Sequence, residues 1–191
     1  MGVRSFLLVN FSYLTYIIVM IDKFEGRWRF LSNFYPCKIE HQGITYPSVE
    51  NFYVAMKVND QQLINGVYFT PGDFREMIAK ISNPSEVKKL GSKIKLRTGW
   101  DEKKLKVMNW GVREKFKNEE LARLLIDTDG HVLIEGTWWH DKFWGICICT
   151  KCANKGENHL GKILMTVREE LKFKNQKPSI EDIIKDKNKL D

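Results

Sequence analysis

Several signatures of common enzyme classes are missing from this sequence. Its 191 residues contain no P-loop, no Rossmann glycine fingerprint, no G-x-S-x-G elbow and no H-E-x-x-H pair. These absences argue against a nucleotide-binding ATPase and against an ordinary serine hydrolase. Internal repeats, low-complexity tracts and domain linkers are also missing, and the length suits one domain with one sizeable core.

Cysteine is scarce and unevenly placed. The chain has four cysteines, and three of them, Cys147, Cys149 and Cys152, share the segment C-I-C-T-K-C. Such spacing does not form the disulfide framework of a small secreted protein, so we expect a reduced, intracellular and cytoplasmic protein. The three thiols, with Cys37 or a histidine as a fourth ligand, also suit zinc. Because paired C-x-x-C units are absent, the sequence favours a loop of thiols, and we predict no metal and no cofactor.

An uninterrupted hydrophobic run suited to a membrane span is also absent. The first twenty residues, MGVRSFLLVNFSYLTYIIVM, have the basic start and apolar run of a signal peptide. Polar residues such as Asn10 and Thr15 interrupt that run, no small-x-small cleavage site follows, and the run is short and polar for a membrane span. We therefore predict no membrane partner. Met20 is a plausible native start, so residues 1–19 are predicted to be a non-native leader or a disordered extension.

Positive charge dominates the composition. Hydrophobic residues make up 43% of the chain and aromatic residues 12%, as in a globular protein, and the formal net charge is +7. This charge favours an anionic partner such as nucleic acid, a nucleotide or a phosphorylated metabolite. A basic protein without such a partner would show the same balance, so charge alone leaves both interpretations open.

The order of the secondary-structure signals predicts an α+β fold. Three short β-forming segments, at 27–31, 37–40 and 43–46, come first, with a hairpin turn at 41–43. Helical patterns dominate from Ser48 onward and are interrupted by a short strand at 132–136. We therefore expect a mainly helical single domain with a small antiparallel β-sheet. The candidate helix N-caps are Ser48, Asp73, Asn83, Asp101, Asn118 and Asn158.

The segment S-V-E-N-F-Y-V-A-M-K, residues 48–57, carries two candidate catalytic residues. Glu50 and Lys57 are seven residues apart, which places them about two helical turns from each other on one edge of an apolar stripe. Glu50 is also a first-turn acid of the kind that the helix dipole favours, and Lys57 also suits a lysine that extends from a buried stem to solvent.

The densest aromatic cluster is T-W-W-H-D-K-F-W-G, residues 137–145. Its rings surround His140 and Asp141. Most tryptophans belong to the rim of a core. Polar side chains among such rings also suit a cleft wall, where Trp139 or Trp144 stacks on a base-like ring while Asp141 works beside it.

Five motifs, in order, resemble the NADAR family of N-glycosidases. They are F-L-S-N-F-Y-P (30–36), G-I-T-Y-P-S-V-E-N-F-Y-V-A-M-K (43–57), W-D-E-K-K-L-K-V-M (100–108), D-K-F-W-G (141–145) and G-E-N-H-L-G-K-I-L-M-T-V-R (156–168). The resemblance runs from about residue 21 to about residue 171. It implies a catalytic domain over 20–172, followed by a polar tail over 173–191 with a possible short helix.

The resemblance implies cleavage of a ribose C–N bond. Members of the family hydrolyse early riboflavin-pathway intermediates or remove ADP-ribose from guanine in DNA, so the expected partner is an anionic ribosyl-phosphate or ADP-ribosyl substrate, and only the second alternative includes DNA. The lysine-rich stretch at 88–106 fits a DNA backbone, although such runs are usually solvated helix faces. A non-catalytic module that binds ADP-ribose or nucleic acid is the alternative.

The resemblance also assigns roles to single residues. Glu50 is implied to be a general acid or base, Lys57 a Schiff-base nucleophile or phosphate ligand, and Asp141 a second acidic group. Asp101 and Asn158 suit helix caps equally well, and Gly161 suits a close backbone approach. The residues implied in substrate binding are Ser32, Asn33, Phe34, Trp100, Asp101, Lys104, Trp139, Trp144, Gly145 and Asn158.

Two departures from the family pattern stand out. Asn51-Phe52 replaces a His-Tyr pair after the glutamate, and C-I-C-T-K-C lengthens the stretch after Gly145. We expect both to flank the substrate pocket and to affect substrate choice.

Overall fold

A computed structural model of the protein describes residues 7–11 and 14–176, and the side chains of residues 19–175. The strands are β1 (Leu7–Phe11), β2 (Leu14–Ile21), β3 (Ile39–His41), β4 (Ile44–Tyr46), β5 (Gln62–Ile64), β6 (Val67–Phe69), β7 (His131–Leu133), β8 (Gly136–Thr137) and β9 (Ile146–Cys147). The α-helices are α1 (Val49–Ala55), α2 (Pro71–Lys80), α3 (Pro84–Gly91), α4 (Trp100–Lys115), α5 (Glu119–Ile126) and α6 (His159–Gln176).

The strands form small separate sheets around the helices. Three hairpins, β1–β2, β3–β4 and β5–β6, are antiparallel. Two further pairs are parallel: β2 with β7, where Ile21 lies opposite Leu133, and β8 with β9, where Thr137 lies opposite Cys147. The predicted mixture of helices with small antiparallel sheets is confirmed, and the two parallel pairs are an addition that the sequence did not indicate.

Helix α1 lies at the centre of the fold. All seven of its residues are buried, and it packs against α2, α3 and α4. Ser48 caps it as predicted, because its Oγ accepts a hydrogen bond from the Asn51 backbone N–H at 3.1 Å. The Asn51 side chain also joins this cap, since its Oδ1 accepts a hydrogen bond from the Ser48 hydroxyl at 2.6 Å, while its Nδ2 donates to the carbonyls of Ile78 and Ile81, both at 2.8 Å. The end of α2 is thus fixed to the start of α1.

The segment predicted as the first strand is a 3-10 helix, Gly26–Leu31. Its consecutive residues Phe30 and Leu31 are both buried, whereas a half-buried strand would bury alternate residues. The Ser32 backbone N–H donates to the Arg29 carbonyl at 3.0 Å, as a 3-10 turn requires. The predictions for the next two strands and the turn between them are confirmed by β3 and β4.

Two of the predicted N-caps are wrong. The cap of α2 is Thr70, and Asp73 is the third helical residue, whose carboxylate accepts from the Thr70 backbone N–H in a reciprocal capping box. The residue before α4 is Gly99, with φ +68°, and Asp101 lies exposed in the first turn. Asn83 and Asn118 cap α3 and α5 as predicted.

The predictions about the two ends of the chain are not tested. Strand β1 and most of β2 fall in the predicted leader, while residues 1–6 and 12–13 lie outside the described residues. Helix α6 extends to Gln176, and the predicted short helix in the tail lies outside them as well. Among the residues that are described, no helix has the length and apolar character that crossing a bilayer requires.

Candidate active site

A cavity of about 660 Å³ opens between α1, α3 and two loops. One loop is the S-N-F segment after the 3-10 helix, and the other is the tryptophan-rich segment after β8. Eight of the residues predicted from the sequence are brought together in its lining: Ser32, Asn33, Phe34, Glu50, Lys57, Trp139, Asp141 and Trp144.

Glu50 is almost fully buried in the first turn of α1, with 8% of its surface exposed. Its backbone N–H donates to the Asn33 carbonyl at 3.1 Å, which joins the helix start to the S-N-F loop. Burial raises the pKa of the Glu50 carboxyl, and the charges of Lys88 and Lys57 oppose this only in part. The Glu50 carboxyl is therefore harder to ionise here than a glutamate in water.

Lys57 follows the C-terminal end of α1 and is half-buried. Its Nζ lies 3.4 Å from the Gly91 carbonyl oxygen and 5.1 Å from the centroid of the Tyr53 ring. Burial lowers the pKa of the Lys57 ammonium, and the nearby Glu50 carboxylate opposes that shift. A lysine with a lowered pKa has a larger fraction of neutral, nucleophilic amine.

Glu135 is an acidic group of the cavity that the sequence reasoning missed. It follows β7, and its Oε2 is buried without a hydrogen-bond partner among the residues that the structure describes. Burial raises the pKa of Glu135 to about 7; the charge of Lys88 opposes the shift, and that of Asp141 adds to it. A general acid is most effective when its pKa lies near the working pH. A single acid at the end of the apolar run V-L-I was the signal that could have indicated it.

Asp141 is held in a fixed orientation. Its Oδ1 accepts hydrogen bonds from the backbone N–H groups of Phe143 at 3.0 Å and Trp144 at 2.9 Å. The Thr137 hydroxyl donates to the Asp141 carbonyl at 3.0 Å, so β8 fixes the same turn. The cavity thus gathers three carboxyl groups, those of Glu50, Glu135 and Asp141.

Aromatic side chains and one lysine form the cavity walls. The Lys88 Nζ of α3 lies 4.6 Å from the Trp139 ring centroid and 5.7 Å from that of Phe34. On the other side, Trp144 meets Tyr53 edge to face at 5.5 Å. Lining residues that the sequence did not mark as part of the site are Tyr53, Ser85, Lys88, Lys89, Ser92, Met108, Glu135 and Leu160.

Three of the predicted binding residues lie outside the lining on α4. Trp100 is buried behind Tyr53, with ring centroids 5.2 Å apart, and so supports the wall from outside. Asp101 and Lys104 form an ion pair at 2.8 Å in which the aspartate is exposed. The Lys104 Nζ also lies 4.0 Å from the Phe143 ring centroid.

The remaining two predicted binding residues hold the Glu135 backbone. A Cβ on Gly145 would lie 2.1 Å from the Glu135 carbonyl oxygen, so only glycine fits there. The Asn158 Oδ1 accepts from the Glu135 backbone N–H at 3.0 Å, and its Nδ2 donates to the Leu133 carbonyl at 2.9 Å. The Asn158 side chain is thus directed to the segment after β7. Gly161 brings α6 equally close to that segment, as predicted, because its Cβ would lie 2.1 Å from the Leu133 carbonyl oxygen.

The departures from the family pattern lie away from this lining. Phe52 packs on Tyr46 and Trp110, with ring centroids 5.8 and 4.8 Å away, and Asn51 bonds to the end of α2. The thiols of C-I-C-T-K-C are likewise not among the lining residues. Neither departure therefore contributes a lining side chain, and the expectation that both affect substrate choice stays a prediction.

Known proteins with similar sequences include an N-glycosidase, the class of enzyme that the motifs predict. A riboflavin biosynthesis protein of Vibrio vulnificus (strain YJ016) is 35% identical over 145 residues, which make up 74% of this chain and 35% of that protein. The chain thus spans only about a third of the length of that relative. The N-glycosidase YbiA of Escherichia coli (strain K12) is 33% identical over 143 residues, 73% of this chain and 79% of that protein.

A solved structure and a domain family match this chain as well. The NMR structure of the E. coli protein YbiA matches with a TM-score of 0.66 and 30% identity, covering 82% of this chain and 87% of that one. A NADAR domain is recognised over residues 22–172, close to the range of about 21 to 171 over which the motifs were found. The chain therefore belongs to the NADAR domain family.

Proposed function

We propose that this protein is an N-glycosidase. It hydrolyses the C–N bond between a nitrogen heterocycle and a ribose that carries a phosphate or an ADP group. The observation that supports this most directly is a pair of carboxyl groups with raised pKa values, Glu50 and Glu135, in one aromatic-walled cavity with Lys57. The names of the N-glycosidase relatives agree with this activity.

Charge develops at two places as such a bond breaks, on the leaving nitrogen and on the ribose, and the acidic side chains of the cavity can act on both. The heterocycle leaves with the electron pair of the C–N bond, and its nitrogen takes a proton from a carboxylic acid. Glu135, with a pKa of about 7, is half protonated at neutral pH and suits this role. Positive charge grows on the ribose, where the oriented Asp141 carboxylate stabilises it. The oxygen of a water molecule then bonds to ribose C1 and passes its proton to the Glu50 carboxylate, which acts as the general base, and both glutamates return to their starting states by proton exchange with solvent.

Lys57 suits two roles within this reaction. As a nucleophile, its neutral amine bonds to ribose C1 while the heterocycle leaves, and water later hydrolyses the resulting Schiff base of the opened sugar. As a cation, it binds the substrate phosphate instead. The lowered pKa of Lys57 supports the first role.

The side chains of the cavity walls favour a substrate in which a flat base is joined to an anionic group. Trp139, Trp144 and Phe34 offer ring faces for stacking, and Lys88 and Lys89 supply positive charge at the same cavity. Two substrates combine these features: a phosphoribosylaminopyrimidine and an ADP-ribosylated guanine in DNA. Binding of the DNA substrate is expected to weaken steeply as salt is added, because a DNA backbone releases counterions, whereas the small metabolite should show a shallow dependence.

The deciding experiment incubates pure protein with each substrate and measures released ribose phosphate or ADP-ribose. We expect release from one of the two by the wild type and a loss of at least about a hundredfold in Glu50→Gln. Lys80→Ala, an exposed lysine on α2, is the control for Lys57→Ala. If folded wild type binds these ligands, releases nothing and is unaffected by Glu50→Gln, the protein is a binding module and the proposal fails.

A further inference from the structure

Behind the tryptophan-rich wall, four side chains converge that the proposed reaction does not use. They are His140, Cys147, Cys149 and Cys152. The His140 Nδ1 lies 3.2 Å from the Cys152 Sγ, 3.5 Å from the Cys149 Sγ and 4.0 Å from the Cys147 Sγ. The Sγ atoms of Cys147 and Cys149 are 3.4 Å apart. All four atoms lie within 4.8 Å of one another.

These separations fit a tetrahedral metal site. With Zn–S bonds of about 2.3 Å and a Zn–N bond of about 2.0 Å, tetrahedral angles place two sulfur atoms about 3.8 Å apart and a sulfur and a nitrogen about 3.5 Å apart. Three thiols and one imidazole form a donor set typical of structural zinc. A disulfide does not explain the cluster, because all three cysteines are free and the sulfur atoms of Cys147 and Cys149 are 3.4 Å apart, against a bond of about 2.05 Å.

We propose that His140, Cys147, Cys149 and Cys152 bind one Zn²⁺ ion as a structural site. The histidine supplies the fourth ligand that the segment C-I-C-T-K-C lacks. Because four protein ligands complete the coordination, no position stays open for substrate, and the ion has no part in the hydrolysis.

The site connects directly to the cavity wall. Trp139 and Asp141, the neighbours of His140 in the sequence, both line the cavity. Cys147 of β9 lies beside Thr137 of β8, whose hydroxyl holds the Asp141 turn. A bound zinc ion would therefore hold the tryptophan-rich segment of the cavity wall in place. Its removal should lower the melting temperature and loosen the turn that orients Asp141.

The test is metal analysis of the full-length protein, purified with zinc in the growth medium and dialysed against metal-free buffer. We expect about one zinc per chain. Cys149→Ser is the informative variant, because this thiol is half-buried whereas Cys147 and Cys152 are buried. It should lose most of the zinc, whereas Cys37→Ser, the one cysteine outside the cluster, should keep it.

A second measurement covers the case in which Cys149→Ser does not fold. Co²⁺ replaces zinc in the wild type, and a tetrahedral site with thiolate ligands gives strong d–d bands and a sulfur-to-metal charge-transfer band. The proposal is overturned by wild type that holds no zinc, by folded Cys149→Ser that holds as much as wild type, by a Co²⁺ spectrum without thiolate ligation, or by a disulfide among the three cysteines. None of these readouts depends on enzymatic activity.

Discussion

Glu135 is the residue on which the proposed chemistry depends most. Its substitution by Gln preserves the shape but removes the proton, so we expect kcat to fall by about 10² to 10⁴-fold. In the wild type, the rate should decline as the pH rises through about 7, where the acid ionises. The Glu135→Gln variant should lack this decline. The exposed Glu76→Gln on α2 is the matched control and should retain the wild-type profile.

Glu135→Gln should also increase the free energy of unfolding at high pH. In the folded protein the pKa of Glu135 is raised from its usual 4.5 to about 7, so the folded state holds this proton more tightly than the unfolded state. Wild-type stability therefore falls as the pH rises from about 4.5 to about 7. We expect Glu135→Gln to raise the free energy of unfolding by about 1–3 kcal/mol at pH 8.5 and by much less at pH 5. Denaturant unfolding measures this, and an effect independent of pH would contradict the burial argument.

Substitutions of Lys57 distinguish a covalent mechanism from a purely electrostatic one. Arginine keeps the positive charge but supplies no nucleophilic amine. If the lysine attacks ribose C1, Lys57→Arg and Lys57→Ala should both lose at least about a hundredfold in kcat, and borohydride should trap a sugar adduct on the wild type only. Substantial activity in Lys57→Arg, without an adduct on the wild type, would assign the residue to phosphate binding instead.

At the scale of elements, the contact between Gly145, just before β9, and the segment after β7 positions Glu135. A methyl group on Gly145 would lie 2.1 Å from the Glu135 carbonyl oxygen, and a backbone atom cannot move aside as a flexible side chain can. We expect Gly145→Ala to cost about 1–3 kcal/mol in stability. It should also lower activity, because the displaced segment carries the acid.

The control for this substitution is Gly72→Ala in the first turn of α2. Its added Cβ would meet only the Thr70 hydroxyl at 3.7 Å, an ordinary contact. Stability and activity should therefore stay near the wild-type values. Equal behaviour of the two alanine variants in denaturant unfolding and in turnover would contradict the proposed role of this contact.

Local signals predicted three of the helix starts correctly. Ser48, Asn83 and Asn118 cap their helices because the bond that each one makes spans only two or three residues. The β5–β6 hairpin was missed, although Asn65 and Gly66, with φ values of +49° and +81°, form the turn that an N-G pair favours.

Long-range contacts explain why the site was only partly predicted. Asn158 bonds to Glu135, 23 positions earlier, and no local pattern indicates that pairing. Lys115 is buried with its Nζ 2.7 Å from the Ser32 carbonyl oxygen, 83 positions away. The motifs thus indicated half of the lining residues and, with Trp100, Gly145 and Asn158, part of the support behind them, whereas Glu135 became visible only with the fold.

At the scale of the whole molecule, the cavity is assembled from distant segments. The S-N-F loop, α1, α3, the Glu135 segment and the tryptophan-rich turn each contribute lining residues. The basic run predicted near the site is only partly at the cavity, since Lys88 and Lys89 line it and the other basic residues of that run do not. Positive charge at the cavity thus comes from α3 and from Lys57, which suits a phosphate group of the substrate.

The most direct test of the central claim is the initial rate of ribose phosphate or ADP-ribose release from the two candidate substrates. The wild type and Glu76→Gln should turn over one of them at equal rates, while Glu50→Gln and Glu135→Gln should each lose at least about a hundredfold. All four proteins should show the same folded circular dichroism spectrum. Equal rates in all four, or no release by folded wild type from either substrate, would contradict the assignment of this cavity as an N-glycosidase site.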